Sequence, residues 1–219
     1  MNTAAPTILP LFSTPFGIVR IPGADQINAA VQRIFAQRSG SERGGESAFC
    51  YRSTDDLLDW PEAPVRQLAD EIIRGVYAVV ARVCELSDVE LRSLKLEARG
   101  WFTTIRQDGS VPAASYPLTT WCAVYCVGAP PPSPSRADSG MLRLYESRLG
   151  NMFQDATNAA MMIPFKTGHY AWRPVAGELV VFPASLLHEI ALLRVAGELT
   201  LVTLRLRFIG PGQQGFGRW

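Results

Sequence analysis

The first third of the chain carries apolar residues at helical spacing. After Asp25 they recur every three or four positions, which predicts a helix running to about Arg38; these positions are Ile27, Ala30, Val31, Ile34 and Phe35. Pro64 suits the first turn of a second helix. The apolar stripe of that helix is wide enough to face a core and comprises Val65, Leu68, Ile72, Val76, Val79 and Val83. The polar, glycine-rich segment SGSERGGES between the two helices predicts a loop.

Beyond the segment SDVE the apolar residues alternate with period two, which indicates strands. We predict strands near residues 94–106, 119–128, 141–146, 160–165, 178–183, 186–191 and 199–209. Ahead of the first helix, TILPLFSTPFGIVRIP alternates loosely and contains prolines, which is typical of an edge strand or extended arm. Seven short strands at this spacing favour a sandwich or a closed jelly roll. We therefore expect a mainly β protein with N-terminal helices, in one domain over 1–219. Its helical support spans about 24–90 and its β-barrel core about 94–210.

The composition excludes several classes of partner. The 219 residues carry a formal net charge of +1 without a run of five like charges, which argues against nucleic acid and against an anionic membrane. The N-terminus lacks a charged region followed by an apolar core, so it does not resemble a signal peptide. Four cysteines stand without the spacing of a metal or redox site. We expect a cytoplasmic protein that binds a small molecule, with a homodimer as a possible assembly.

One histidine stands out as a candidate for chemistry. The segment PVAGELVVFPASLLHEI has the pattern of a strand, a turn and a second strand, and it brings His188 to the rim of the predicted barrel. The chain has only two histidines. A histidine at such a rim is a candidate acid, base or metal ligand, whereas a lone histidine on an apolar strand also fits a purely structural role.

Three segments resemble one family in order and spacing. They are the tryptophan strand with its glycine turn and proline, the block SGMLRLYESRLGNM, and the strand pair around His188. Together they are similar to the bacterial iron(II)/2-oxoglutarate-dependent oxygenases, and the similarity extends weakly over nearly the whole chain. The resemblance implies a double-stranded β-helix, which is a cupin-like jelly-roll barrel.

The residues that the family uses for iron and cosubstrate are replaced in this chain. By the resemblance, the two positions of the family's His-x-His block fall on Ala114 and Tyr116, and only His188 remains at the distal histidine position. A facial iron site needs two imidazoles and a carboxylate or equivalent donors. The arginine that holds the cosubstrate carboxylate falls on Glu198, and Thr200 stands where the family has a small hydroxyl residue. We therefore expect no metal site and no cofactor, with Fe(II) and 2-oxoglutarate as the alternative.

The surviving ionisable groups suggest a different reaction on the same fold. We expect redox-neutral acid–base chemistry, such as cyclisation, isomerisation or elimination, with His188 as base or acid, Tyr116 as phenolic donor and Glu198 as an orienting carboxylate. Glu198 also favours a cationic or neutral ligand over an acid. The residues that we expect to bind the substrate are Trp101, Thr103, Arg148, Thr200 and Arg205.

Other interpretations stay open at this point. The protein could be an active iron oxygenase with an atypical ligand set, or a non-catalytic relative that binds a ligand or partner. Tyr116 could fill the space of the lost metal site, and Glu198 could be a solvent-exposed strand start. We expect His169 in a surface loop. A site built from His169, His188 and Glu146 has no close spacing to support it.

Overall fold

The computed structural model describes residues 13–41, 49–146, 157, 160–165 and 168–212. Its helices are α1 (Ala24–Ser41), α2 (Ala63–Val83) and α3 (Asp88–Ser93). The first two confirm the helices that the apolar stripes predict. The third is not predicted, because six residues are too few for a periodic pattern. A reciprocal cap starts it: the Glu90 amide donates to Ser87 Oγ over 3.3 Å, and the Ser87 amide donates to the Glu90 carboxylate over 2.8 Å.

The strands form two antiparallel sheets. In chain order they are β1 (Gly17–Arg20), β2 (Cys50–Arg52), β3 (Lys95–Arg106), β4 (Val111–Ala114), β5 (Trp121–Gly128), β6 (Leu142–Tyr145), β7 (His169–Trp172), β8 (Glu178–Pro183), β9 (His188–Ile190) and β10 (Glu198–Ile209). The larger sheet has the order β1-β8-β5-β10-β3-β2, and the smaller one has the order β4-β9-β6-β7. Within the described residues the sheets remain separate, so the jelly roll is a two-sheet structure without a closed barrel.

The alternation along the long strands divides the core into two parts. On β10, Val202 and Leu204 belong to the cluster that packs against the helices, whereas Leu199 and Leu201 belong to the cluster facing the smaller sheet. Successive side chains of a strand point to opposite faces, and both faces of the larger sheet are covered here. This explains why β5 and β8 are almost continuously apolar and buried.

The sequence prediction differs from the structure mainly in the shortest elements. The strand expected at 160–165 is absent; Ile163–Phe165 forms a short 3₁₀ turn instead. Pro164 lacks a backbone N–H for a ladder, and Met162 and Ile163 are exposed although they are apolar. Strands β2 and β4 are too short for a period-two pattern to predict them. The expected N-terminal edge strand is confirmed by β1, which pairs with β8 at the margin of the larger sheet.

The helices of the described residues also bear on whether the chain could cross a membrane. None of them combines the length and the apolar character that a membrane crossing requires.

Candidate functional site

Most of the side chains of the candidate site project from the larger sheet toward the smaller one. Arg205 on β10 lies opposite Cys122 on β5, and Cys122 lies opposite Phe182 on β8. On the adjacent β3, Trp101 and Thr103 are two positions apart, so they share a face, and both are buried. Residues directly opposite on paired strands share a face, so β3, β5, β8 and β10 together present one row of mixed polar and aromatic side chains.

His188 enters this space from β9 in the smaller sheet. Its side chain is buried, and its ring centroid lies 5.0 Å from that of Phe182 in an edge-to-face contact. Nδ1 lies 2.9 Å from the carbonyl oxygen of Leu186. A carbonyl only accepts, so Nδ1 carries the proton and Nε2 keeps its lone pair. Burial lowers the pKa of His188, although the bond to Leu186 acts in the opposite direction. The imidazole is therefore neutral near pH 7, and Nε2 is its basic atom.

Tyr116 lies against His188. The ring centroids are 5.4 Å apart with the planes at 65°, and a second edge-to-face contact of 5.6 Å joins Tyr116 to Trp101. The backbone N–H of Tyr116 donates to the carbonyl of Ala184 over 2.7 Å, which fixes the chain at this point. Burial raises the pKa of Tyr116 to about 12. The phenol is thus protonated at neutral pH, and it can donate a hydrogen bond or a proton.

Two arginines and an aspartate lie near Tyr116. The Arg205 guanidinium donates to Asp55 Oδ2 over 2.7 Å, and Arg52 donates to the other carboxylate oxygen of Asp55. The guanidinium carbon of Arg52 lies 4.3 Å from the ring centroid of Trp101. That of Arg205 lies 5.7 Å from the Tyr116 centroid and 5.8 Å from the Trp101 centroid. Each distance is short enough for a cation–π contact.

Arg52 and Asp55 are not among the site residues predicted from the sequence. Arg52 ends β2, which pairs with β3 so that Arg52 is opposite Thr103. Asp55 lies three residues farther, ahead of α2, and is far in sequence from the strands that carry the other site residues. The only signal in the sequence is a charged spacing of three in YRSTDD, which is common on any surface.

Two expected site residues lie elsewhere in the structure. Glu198 is the first residue of β10, seven positions before Arg205 and about 20 Å from it at the usual rise per strand residue. Its side chain is 55% exposed, and its carboxylate accepts from Arg106 Nε over 3.0 Å. Thr200 is buried, but it shares the face of Val202 that packs against the helices. Arg148 lies outside the described residues.

The residues that the sequence raised as metal donors or as replacements for them have the following places in the structure. Ala114, the β4 residue paired with His188, has no donor atom. His169 is exposed on β7, opposite Tyr145, in a strand rather than the expected loop. Glu146 follows β6, and its backbone N–H donates to Gly168 over 2.9 Å. Within the part of the chain that the structure describes, no three His, Cys, Asp or Glu side chains form a group able to hold a metal ion.

A separate cavity lies at the other end of the larger sheet. It has a volume of about 240 Å³ and is lined by the loops after β5 and before β8 and by Leu193 and Leu199. None of the residues proposed for the site lines this cavity.

The fold is shared with known oxygenases. A prolyl-4-hydroxylase from Pseudomonas putida matches with a TM-score of 0.57 and 13% identity, over 90% of this chain and 94% of that chain. The non-heme alpha ketoglutarate dependent epimerase SnoN from nogalamycin biosynthesis matches with a TM-score of 0.59 and 12% identity, over 92% and 81%. HygX from Streptomyces hygroscopicus, with nickel, 2-oxoglutarate and hygromycin B bound, matches with a TM-score of 0.58 and 12% identity, over 89% and 83%. No family model and no curated protein matches the sequence.

These matches confirm the double-stranded β-helix of the 2-oxoglutarate and iron(II) oxygenases as the fold class. They also correct one expectation. The prediction that no cofactor is needed is wrong by this comparison, since HygX of the same fold holds nickel and 2-oxoglutarate. That prediction followed from single positions: Ala114 and Tyr116 in place of the family's histidines and Glu198 in place of its arginine. The nickel and 2-oxoglutarate are those of HygX, whereas no three His, Cys, Asp or Glu side chains among the described residues of this chain form a comparable group.

Proposed function

We propose that the protein is an enzyme acting on a small molecule between its two sheets, with His188 and Tyr116 as a proton-transfer pair. The reaction class is redox-neutral acid–base chemistry such as isomerisation, cyclisation or elimination. One observation carries the proposal: a neutral imidazole with a basic Nε2 lies in ring contact with a phenol that stays protonated. Such reactions use a base and an acid that lie side by side and have well-separated pKa values.

Each residue has a definite part in this scheme. Tyr116 is the more exposed of the two and is the group that an entering ligand meets first. Nε2 of His188 removes a proton from a carbon next to a carbonyl, and the Tyr116 hydroxyl donates to the oxygen where negative charge develops. Return of the proton at another atom gives an isomer, and departure of a leaving group gives an elimination product. Neither outcome requires an electron acceptor.

Solvent exchange tests the proposal without knowledge of the natural substrate. The protein is incubated in D2O with a panel of 2-oxo and 3-oxo acids and amides, and deuterium incorporation is followed by mass spectrometry. We expect incorporation with at least one compound class, a loss of about 10²-fold or more for His188→Gln, and a comparable loss for Tyr116→Phe. His169→Gln is the matched control, since it removes the exposed histidine. Incorporation that both histidine variants retain equally would refute the role of His188.

A second candidate is an active oxygenase with an atypical ligand set. The bound nickel and 2-oxoglutarate of HygX favour it, and Nε2 of His188 has the lone pair that a metal ligand needs. Titration with nickel and 2-oxoglutarate separates the candidates. Stoichiometric metal binding that His188→Gln abolishes, with oxygen-dependent consumption of 2-oxoglutarate in the iron-loaded protein, would replace the first proposal by the second.

A further inference from the structure

We infer that Arg205 and Arg52 make this site selective for ligands that carry a carboxylate or a similar anion. The inference rests on the proposed function, because it names the substrate class of the same site. It also reverses the charge preference expected from Glu198, whose carboxylate is exposed and paired with Arg106 at the far end of β10.

The three charged side chains beside Tyr116 carry a positive total charge. Two guanidinium groups share the single carboxylate of Asp55, so the three side chains together carry a charge of +1. All three are partly shielded: the exposed fractions of Arg205, Asp55 and Arg52 are 23%, 32% and 39%. Partial shielding weakens the screening of a charge by water and salt. An anion that reaches these groups is therefore attracted, and an amine is repelled.

The chemistry of the donors adds selectivity to the charge. A guanidinium is planar and presents paired N–H groups that match the two oxygens of a carboxylate. The ring centroids of Trp101 and Tyr116 lie within 6 Å of the Arg205 guanidinium carbon, and these contacts restrict the orientation of the guanidinium. In the structure the Asp55 carboxylate accepts a hydrogen bond from Arg205, so a ligand carboxylate competes with Asp55 for the same guanidinium. Removal of Asp55 should consequently strengthen the binding of acids.

The geometry also limits the size of the ligand. The Arg205 guanidinium carbon and the His188 ring lie 5.7 Å and 5.4 Å from the ring centroid of Tyr116, so they are at most about 11 Å apart. An acid held by Arg205 and deprotonated by His188 must fit its anion and its reactive carbon within that span. Small aliphatic or aryl-substituted acids meet this limit.

Matched acids and amides test the inference by calorimetry. The probes are 3-phenylpropionate with 3-phenylpropionamide, and levulinate with its amide. We expect each acid to bind the wild type about tenfold more tightly than its amide, because a charge-assisted hydrogen bond contributes about that factor. Arg205→Gln should abolish the preference, and Arg205→Lys should retain part of it. Asp55→Asn should tighten acid binding severalfold without an effect on the amides.

Arg106→Gln is the matched control, because it removes one positive charge from the same sheet away from the site. Circular dichroism confirms that each variant is folded, and Arg52→Gln replaces Arg205→Gln if the latter unfolds. Equal binding of acid and amide to the wild type would overturn the inference, as would equal effects of Arg205→Gln and Arg106→Gln.

Two further arms separate this inference from the proposed function. Acid preference that depends on Arg205, in a protein that exchanges no deuterium, supports the anion site and refutes the proton-transfer role. A second arm uses 2-oxoglutarate with and without nickel. If Arg205→Gln weakens only 2-oxoglutarate, and only with nickel present, Arg205 holds a cosubstrate and the inference of substrate selectivity is wrong.

Discussion

Replacement of Tyr116 by alanine tests whether the space beside His188 depends on this ring. The tyrosine ring makes two edge-to-face contacts, with Trp101 and with His188, and packs against the cluster between the sheets. Tyr116→Ala removes both contacts and leaves a space where the ring was. The imidazole of His188 then loses its cover from the solvent side.

The expected loss follows from these contacts. A fully buried aromatic residue costs about 3–5 kcal/mol when truncated to alanine, and each aromatic pair contributes about 0.5–1.5 kcal/mol of that. Tyr116 is partly exposed, so part of the ring is already in water. We expect a decrease of about 2–4 kcal/mol in the free energy of unfolding. For a chain of this length that corresponds to roughly 5–15 °C in Tm.

Urea unfolding followed by circular dichroism measures this decrease, and Leu118→Ala provides the control. Leu118 lies two residues farther along and is 69% exposed, so its truncation should change stability by less than about 0.5 kcal/mol. Tyr116→Phe keeps the ring and should stay within about 1 kcal/mol of the wild type. A loss below about 1 kcal/mol for Tyr116→Ala would refute the packing argument, and it would indicate an open cleft that Tyr116 merely lines.

Three further predictions concern single side chains. Because burial lowers the pKa of His188, the unfolded chain takes up the proton first as the pH falls through 6.5. The stability advantage of the wild type over His188→Gln should therefore shrink between pH 7.5 and pH 5 in thermal melts; an advantage that is constant with pH would refute the assignment. Glu198→Gln breaks only an exposed ion pair with Arg106, so unfolding should change by less than about 1 kcal/mol. Tyr125→Phe leaves the buried Asn28 Oδ1 without its 2.7 Å bond, and we expect denaturation to show a loss of about 1–3 kcal/mol.

The helices and long strands could be predicted because each buries one or two regular faces. The apolar stripe of α2 and the alternation of β3 and β10 are long enough for the period to dominate local composition. The prediction failed at 160–165, where exposed apolar residues surround Pro164. An apolar run signals a strand only where a partner sheet covers it, and the sequence does not show which runs are covered.

The candidate site was predictable in part. His188 and Tyr116 could be found from their order and spacing relative to a known pattern. Glu198 was chosen at the corresponding position, but spacing along the chain does not show where a strand begins, and Glu198 is the exposed first residue of β10. Arg205 was among the candidates. Asp55 was not, because its proximity to Arg205 arises only when β2 joins the edge of β3.

The position of β10 has a consequence for the synthesis of the protein. It is the last strand of the described residues, yet it lies between β5 and β3 in the larger sheet. Until it emerges, the sheet consists of two unconnected pieces, β2 with β3 and β1 with β8 and β5, each with an apolar strand whose edge is open. Its pairing with β3 joins residues about a hundred positions apart, and such distant pairing is slow. A ribosome-bound chain that ends before residue 198 therefore exposes two strand edges with unpaired backbone groups, on β3 and on β5. We expect such a chain to depend on a chaperone until the strand carrying Arg205 inserts between them.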